Sequence, residues 1–238
     1  MTTSGSTNFP STGTLIINGA LRLVGALSQG DTPTASQTSE ALDALNMLVK
    51  AYAAKGLALW TTRETDVTPL LATGTYIIGT GLATNTSKPL KVTQAYLHNS
   101  TTDVDIPMRV VTRDEFTRLG DKTVTGSPVQ VWYEPLRDSG TLHVFPTPDA
   151  YTVANCTIRI VNQKTFEDFD AVGDAPDFPQ EWFEVLKYGL ASRLAGEYGM
   201  DLQSRALLRQ EAKDMLDEAL AFDQEEGSIY FQSDRRYF

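Results

Sequence analysis

Two histidines, one cysteine and a run of carboxylates are the residues whose types could do chemistry. His98 and His143 are the only histidines, and each falls in a strand-like segment. There is no His-x-x-x-His or Cys-x-x-Cys pattern, so a zinc site would lack its usual ligands. Packed structural histidines are the simpler reading. Cys156 lies in Ala-Asn-Cys-Thr-Ile with no basic neighbour to favour a thiolate, and it reads as a small core residue. Gly74, Gly79 and Gly81 lack the Gly-Lys-Ser/Thr of a phosphate loop and the spacing of a dinucleotide fingerprint; hairpin turns explain them. The run Glu167-Asp168-Phe169-Asp170, with Asp174 and Asp177, lacks EF-hand spacing and reads as a solvated loop ahead of a helix. No carboxylate pair stands out among the 30 acids. The expectation is a chain that is not an enzyme and needs no cofactor or metal. A carboxylate-based hydrolase and a monomeric ligand-binding β domain are the alternatives.

The C-terminal segment has a different chemistry. Residues 227–238 follow the helix stop Glu225-Glu226-Gly227 and gather Tyr230, Phe231, Arg235, Arg236, Tyr237 and Phe238. Aromatics and arginines are the types enriched at the centres of protein interfaces. The segment is expected to dock on another chain; a strap over the chain's own surface is the competing reading.

Charge supports a scaffold more than a nucleic-acid clamp. The net charge is −10. Residues 1–162 hold 12 basic and 13 acidic side chains, whereas residues 163–226 hold 6 basic and 16 acidic. Tight wrapping on nucleic acid calls for the opposite sign. An acidic surface can still face DNA that must slide past without sticking. No apolar run reaches the roughly 18 residues that span a bilayer, and the first ten residues show neither a basic nor an apolar signal region. With a single cysteine no intrachain disulfide can form.

The elements that must position these residues fall into helical ends and a β-rich middle. Residues 1–11 are Ser/Thr/Gly-rich and are expected to be a flexible arm. A helix is predicted from Thr14 to Leu27, with Leu15, Leu21, Val24 and Leu27 on one face. Thr34-Ala35-Ser36-Gln37 is a capping box that opens a second helix. Its stripe is Leu42, Leu45, Leu48, Val49 and Tyr52, and Gly56 suits its C-terminal stop. Strand texture follows in Leu57–Leu71, Tyr76–Ile78, Leu90–His98 and Ile106–Val111. Thr112-Arg113-Asp114-Glu115 is another capping box, predicting a short helix to about Leu119. Val129–Pro135 and Gly140–Phe145 read as a hairpin, and Tyr151–Val161 as a further strand. Pro179 suits the first turn of a helix whose stripe is Trp182, Val185, Leu186, Leu190 and Leu194. Gly189, Ala191, Ser192, Ala195 and Gly196 would let a neighbouring helix approach closely. Gly199 breaks this helix, Asp201 caps the next, and Leu208, Ala212, Met215, Ala219 and Phe222 form its seam.

Apolar stripes at both ends of the chain need partners, and each other is the simplest place. The predicted fold class is α+β. Residues 12–56 and 178–226 form a four-helix domain from N- and C-terminal helical hairpins. Residues 57–177 form a β-rich insertion domain with an acidic linker, and residues 227–238 a docking tail.

Particular residues then resemble a known family. Ala20-Leu21-Arg22-Leu23-Val24-Gly25-Ala26, Thr32-Pro33-Thr34, Ala41-Leu42-Asp43-Ala44-Leu45-Asn46-Met47-Leu48 and Gly56-Leu57-Ala58-Leu59-Trp60 resemble the N-terminal hairpin of phage head-to-tail adaptor proteins. Pro179-Gln180-Glu181-Trp182, with Lys187–Ala195 and Glu197-Tyr198-Gly199, resembles the C-terminal hairpin. The likeness is to the tail tubular protein A type of short-tailed phages. It implies a virion structural protein of the neck or tail, assembled in the host cytoplasm with no membrane partner. It implies a homo-oligomeric ring, a dodecamer, below the portal protein. Such a ring extends the DNA channel, lets genomic DNA pass without specific contact, and offers a platform for tail nozzle and fibre proteins. On that reading Tyr230, Phe231, Arg235, Arg236, Tyr237 and Phe238 dock on the portal or a neighbouring subunit.

Overall fold

The computed structural model describes residues 5, 9, 11–54 and 59–222. In chain order the elements begin with α1 (Gly13–Leu23), α2 (Ala35–Ala53), β1 (Thr62–Val67), β2 (Thr75–Gly79), β3 (Thr84–Asn85), β4 (Pro89–Asn99) and β5 (Val104–Val110). Then come α3 (Arg113–Thr117), β6 (Thr125–Gly126), β7 (Gln130–Pro135), β8 (Gly140–Phe145), β9 (Thr147–Pro148), α4 (Ala150–Asn155) and β10 (Cys156–Lys164). A 3-10 turn, Gln180–Trp182, leads into α5 (Phe183–Leu194), and α6 (Leu202–Phe222) follows. The fold is mixed α+β. The described residues divide into two compact units, one drawn from Met1–Leu59 and Phe166–Phe238, the other from Trp60–Thr165.

In the first unit α5 is the central helix and touches α1, α2 and α6. Its stripe is the expected one: Trp182, Val185, Leu186, Leu190 and Leu194 are all buried. Gly189 works as spacing predicted, and Gly19 adds a close approach that spacing did not single out. Gly189 lies against Leu48 and the Tyr52 hydroxyl of α2, and Gly19 of α1 lies against the Lys187 stem of α5. The box at Thr34 forms, with Gln37 closing it. Asp201 accepts from the Ser204 amide at 2.9 Å, after Gly199 at φ +71° has ended the preceding turn.

Several expectations are corrected here. Helix α1 stops at Leu23 instead of Leu27, because Gly25 turns left-handed at φ +74° and the Ala26 and Leu27 amides fold back to Leu21 O. Its buried face is Ile16, Ile17, Ala20 and Leu21, with Leu15 exposed. In α6 the buried seam is Leu208, Ala212 and Leu216, with Met215 and Ala219 half-buried. Gly56 lies outside the described residues, and so do most of residues 1–11.

The acidic stretch is no solvated linker of the insertion. It lies with the helices as a strap, held by apolar anchors among and at the ends of its run of carboxylates. Phe166, Phe169 and Phe178 are buried, and Phe166 stacks on Phe178 at 4.5 Å. Asn46 of α2 reads the strap's backbone in both directions. Its Nδ2 donates to Phe169 O at 3.0 Å, and its Oδ1 accepts from Phe169 N at 2.9 Å. Lys50 pairs with Asp168 at 2.5 Å. The Thr12 side chain makes no cap for α1. Strap carbonyls do so instead: Gly13 N donates to Asp174 O and Thr14 N to Val172 O. These satisfy first-turn amides that would otherwise be orphans.

The second unit is a curled sheet in the order β1-β10-β4-β5-β7-β8-β2-β3, with β6 and β9 as a separate parallel pair. β7 and β8 form the expected hairpin, from Gln130↔Phe145 to Pro135↔Gly140. β5 and β7 are parallel and share two registered pairs. Strands from both ends of the order feed one core, including Val67, Leu97, Ile158 and Ile160 on one side and Ile78, Val131, Leu142 and Val144 on the other. The buried Tyr133 hydroxyl of β7 donates to Pro89 O of β4 at 2.7 Å. β5 separates these two strands in the order, so the sheet curls around its own core. Gly140 leaves room for the Tyr133 ring lying over it.

The segment expected as one strand, Tyr151–Val161, begins as helix α4. Asp149 caps it by accepting from the Thr152 amide at 2.8 Å. A satisfied cap outweighs the weak strand preference of Tyr, Thr and Val. The box at Thr112 and Glu115 opens α3 as expected.

Candidate functional site

Neither histidine builds a reactive centre. His98 of β4 sits opposite Asp105 of β5, with Nδ1 2.8 Å from the carboxylate. His143 of β8 stacks on Trp132 of β7 at 4.3 Å and lies 3.4 Å from Glu134. Phe116 of α3 closes over both rings, at 5.8 Å from Trp132 and 5.7 Å from His143. These are cross-strand pairs, each consumed by its neighbours. Cys156 is buried and faces the sheet core. Burial pushes its thiol pKa up, and the Asp149 carboxylate adds to this. That disfavours a thiolate nucleophile.

Three of the five carboxylates of the strap are engaged locally instead of converging. Asp168 pairs with Lys50, Asp174 accepts from the Ala171 amide at 2.7 Å, and Asp177 from the Glu167 amide at 3.4 Å. No group of three or more His, Cys, Asp or Glu side chains suited to a metal ion occurs among the described residues. Asp149, Asp201 and Glu115 have lowered pKa values, and in each the leading cause is a backbone amide donated at a helix start. These shifts belong to caps, so they mark structure and not a catalytic dyad.

Concave surface is found around the helices of the first unit. A groove of about 400 Å³ is lined by Phe9, Leu15, Ile16, Phe183 and Lys187. The Phe9 amide donates to Gln180 Oε1 at 3.1 Å there. A smaller hollow of about 190 Å³ lies between α5 and α6 at Trp182, Val185 and Met215, rimmed by Glu181, Glu184 and Glu218. A third, of about 580 Å³, lies where α2, α5 and α6 meet, over Leu48, Tyr52 and Gly189, with Arg193, Arg209 and Lys213 on its rim. Burial pushes the Tyr52 hydroxyl up to about 12, opposed by the Arg193 guanidinium. Sequence reasoning read Glu181 and Glu184 as complements to the helix dipole and gave Arg193, Arg209 and Lys213 no role. Their signal is position: each α6 charge on a rim stands one residue before or after a residue of the helix seam.

Tyr230, Phe231, Arg235, Arg236, Tyr237 and Phe238 lie outside the described residues. Among the described residues no helix is long and apolar enough to cross a membrane. The architecture is thus a helical unit with charged hollows, interrupted in sequence by a β unit whose titratable groups pair locally. No curated protein matches the chain. A model of the SU10 adaptor protein family matches residues 12–236, from the start of α1 past the end of α6. With nearly its whole length matched, the chain belongs to the SU10 adaptor protein family and is a phage adaptor, a structural protein of the virion neck or tail.

Proposed function

We propose that this adaptor acts as a head-to-tail connector of the tail tubular protein A type. It forms a homo-oligomeric ring, a dodecamer, below the portal, extends the DNA channel and attaches the tail nozzle and fibres. The observation that carries the proposal is the family match over residues 12–236, which takes in both helical ends and everything between them. Gly189 of α5 already admits α2 at close range, and Gly19 of α1 admits the Lys187 stem of α5, a packing style suited to repeated helices around a ring. The acidic excess of residues 163–226 suits a channel through which DNA must pass without sticking.

On this reading the four helices are one folding domain, and the β-rich unit is an insertion that meets a tail-side partner. Tyr230, Phe231, Arg235, Arg236, Tyr237 and Phe238 anchor the adaptor to the portal or a neighbouring subunit. Aromatics supply apolar area at low entropic cost, and arginine can bind a carboxylate through two parallel hydrogen bonds. Ordering a free strap costs about 1–2 kcal/mol per residue for the backbone, so several anchors are needed.

The test is a mass measurement of the protein alone and mixed with the portal protein of the same phage. A ring bound to the portal is expected. A protein that stays monomeric and does not bind the portal refutes the connector reading. Truncation after Gly227 is expected to leave the melting temperature nearly unchanged and to weaken portal attachment. Unfolding of that variant would instead assign the tail to its own chain's core.

A further inference from the structure

Helix α6 carries two charge stripes on opposite flanks of its buried seam. The seam is Leu208, Ala212 and Leu216, extended by the half-buried Met215 and Ala219. At 3.6 residues per turn, a residue one position later lies 100° to one side, and a residue one position earlier 100° to the other. One flank reads Leu202, Arg205, Arg209, Lys213, in steps of 3, 4 and 4. The other reads Leu207, Glu211, Asp214, Glu218, in steps of 4, 3 and 4. All eight residues are exposed. The acidic stripe thus has one sign of charge, the basic stripe keeps one sign as far as Lys213 and is followed by exposed Asp217, and each begins with an exposed leucine, Leu202 at 82% and Leu207 at 63%.

The neighbouring helix extends both flanks. Arg193 of α5 joins Arg209 and Lys213 around the hollow of about 580 Å³, although Asp217 also stands on that rim. Glu181 and Glu184 join Glu218 around the hollow of about 190 Å³ on the other side. Few of these charges are neutralised within the subunit. Glu184 pairs with Lys187, and Asp214 accepts from Gln210. Arg193, Arg209, Lys213, Glu181, Glu211 and Glu218 make no ion pair with another described residue. A basic stripe in a segment that is acidic overall has a partner built into the same molecule.

We propose that the acidic flank of α5 and α6 in one copy docks on the basic flank of the next. This deepens the ring reading and rests on it: it names the surfaces and the polarity of the subunit contact. The two surfaces differ, so the contact is head-to-tail, the kind that closes into a ring when its rotation closes. The two exposed leucines are buried by the contact, and the opposed stripes fix its register and disfavour the reversed pairing.

The test uses the full chain with paired charge reversals. One variant carries Arg209→Glu and Lys213→Glu; the other carries Glu211→Lys and Glu218→Lys. Sedimentation velocity follows association over rising concentration, alone and with the portal protein of the same phage. Each variant by itself is expected to need on the order of tenfold more protein, or greater, to assemble, because like charges then face each other. A 1:1 mixture of the two is expected to assemble like wild type, since every contact in an alternating ring is again between opposite signs. Misfolded variants cannot rescue each other, so recovery also reports intact folds. If the wild type assembles and the reversals do so equally well, or if the mixture stays dissociated, the charged flanks are not the interface and the ring reading stands. If the wild type assembles under neither condition, the ring reading falls, and this inference with it.

Discussion

Two helical glycines give opposite predictions for the same substitution, and the difference comes from what each one touches. In an exposed helix, Gly→Ala stabilises by about 1 kcal/mol because alanine loses less conformational entropy. Gly19 of α1 and Gly189 of α5 both sit inside helices. A methyl group at Gly19 meets the Lys187 stem, with Cδ at 2.9 Å and Cγ at 3.1 Å. A lysine stem can swing aside, so most of the propensity gain survives, and Gly19→Ala is expected to stabilise by about 0.5 kcal/mol. A methyl group at Gly189 overlaps the Tyr52 hydroxyl and stands 3.0 Å from Leu48 Cδ2. Leu48 is 4% exposed, and the Tyr52 ring is set edge-on to buried Trp182 at 6.3 Å, so relieving the overlap means turning Tyr52 off Trp182 toward the hollow of about 580 Å³ that it borders. Forcing such a side-chain shift costs about 1–3 kcal/mol, which exceeds the propensity gain. Gly189→Ala is thus expected to destabilise by about 1 kcal/mol. Urea unfolding followed at the helical circular dichroism band measures both, read as a midpoint shift at unchanged slope. Equal shifts in the same direction would refute the claim that α2 packs closely on Gly189 while α1 meets a movable side chain.

Three further outcomes follow from local geometry. Thr34→Ala removes the hydroxyl that accepts from the Gln37 amide at 3.3 Å, and should cost about 1 kcal/mol in the same urea assay. In the β unit, Gly140→Ala drives a methyl group into the Tyr133 ring and should cost more than Tyr133→Phe, which loses only the bond to Pro89 O. The hydrogen bond is worth about 0.5–1.5 kcal/mol, so a larger loss for the phenylalanine variant would mean the ring is held by its hydroxyl and not by packing. Stability should also fall at both pH extremes. The cap carboxylates Asp149, Asp201 and Glu115 have lowered folded-state values, so their contribution is complete above the ordinary carboxylate range and is lost as pH falls through the lowered values. Tyr52 and Tyr133 are raised to about 12, so theirs is complete below pH 10 and lost as pH rises through about 12. Melting temperatures across pH measure this, and a flat acid limb would show that the caps contribute nothing.

The strap changes what the acidic segment is for. Its charge made it look like a solvated loop, yet three phenylalanines, one among the carboxylates and one at either end of the run, hold it on the helices. It then supplies carbonyl oxygens to the first turn of α1, which has no side-chain cap of its own. Asn46, which falls beside the apolar stripe of α2, is the side chain that fixes the strap's backbone.

The sequence by itself determined what is decided within a turn or a hairpin. The boxes at Thr34 and Thr112, the cap at Asp201, the stripe from Trp182 to Leu194 and the β7–β8 hairpin all follow from residues a few positions apart, where chain connectivity holds the partners together. The two charge stripes of α6, by contrast, follow from the helix period only once the structure has placed its seam on Leu208, Ala212 and Leu216. Tertiary structure alone decided the rest. β1 pairs with β10 across almost a hundred residues, and β5 meets β7 in parallel, because strand edges find partners by burying a shared face that local spacing does not encode. Tyr151–Asn155 became a helix when the Asp149 cap was satisfied, against its strand-like composition. The choice of Ile16 and Ile17 over Leu15 as the buried side of α1 was set by where α5 lies against it, since three consecutive apolar residues allow either face.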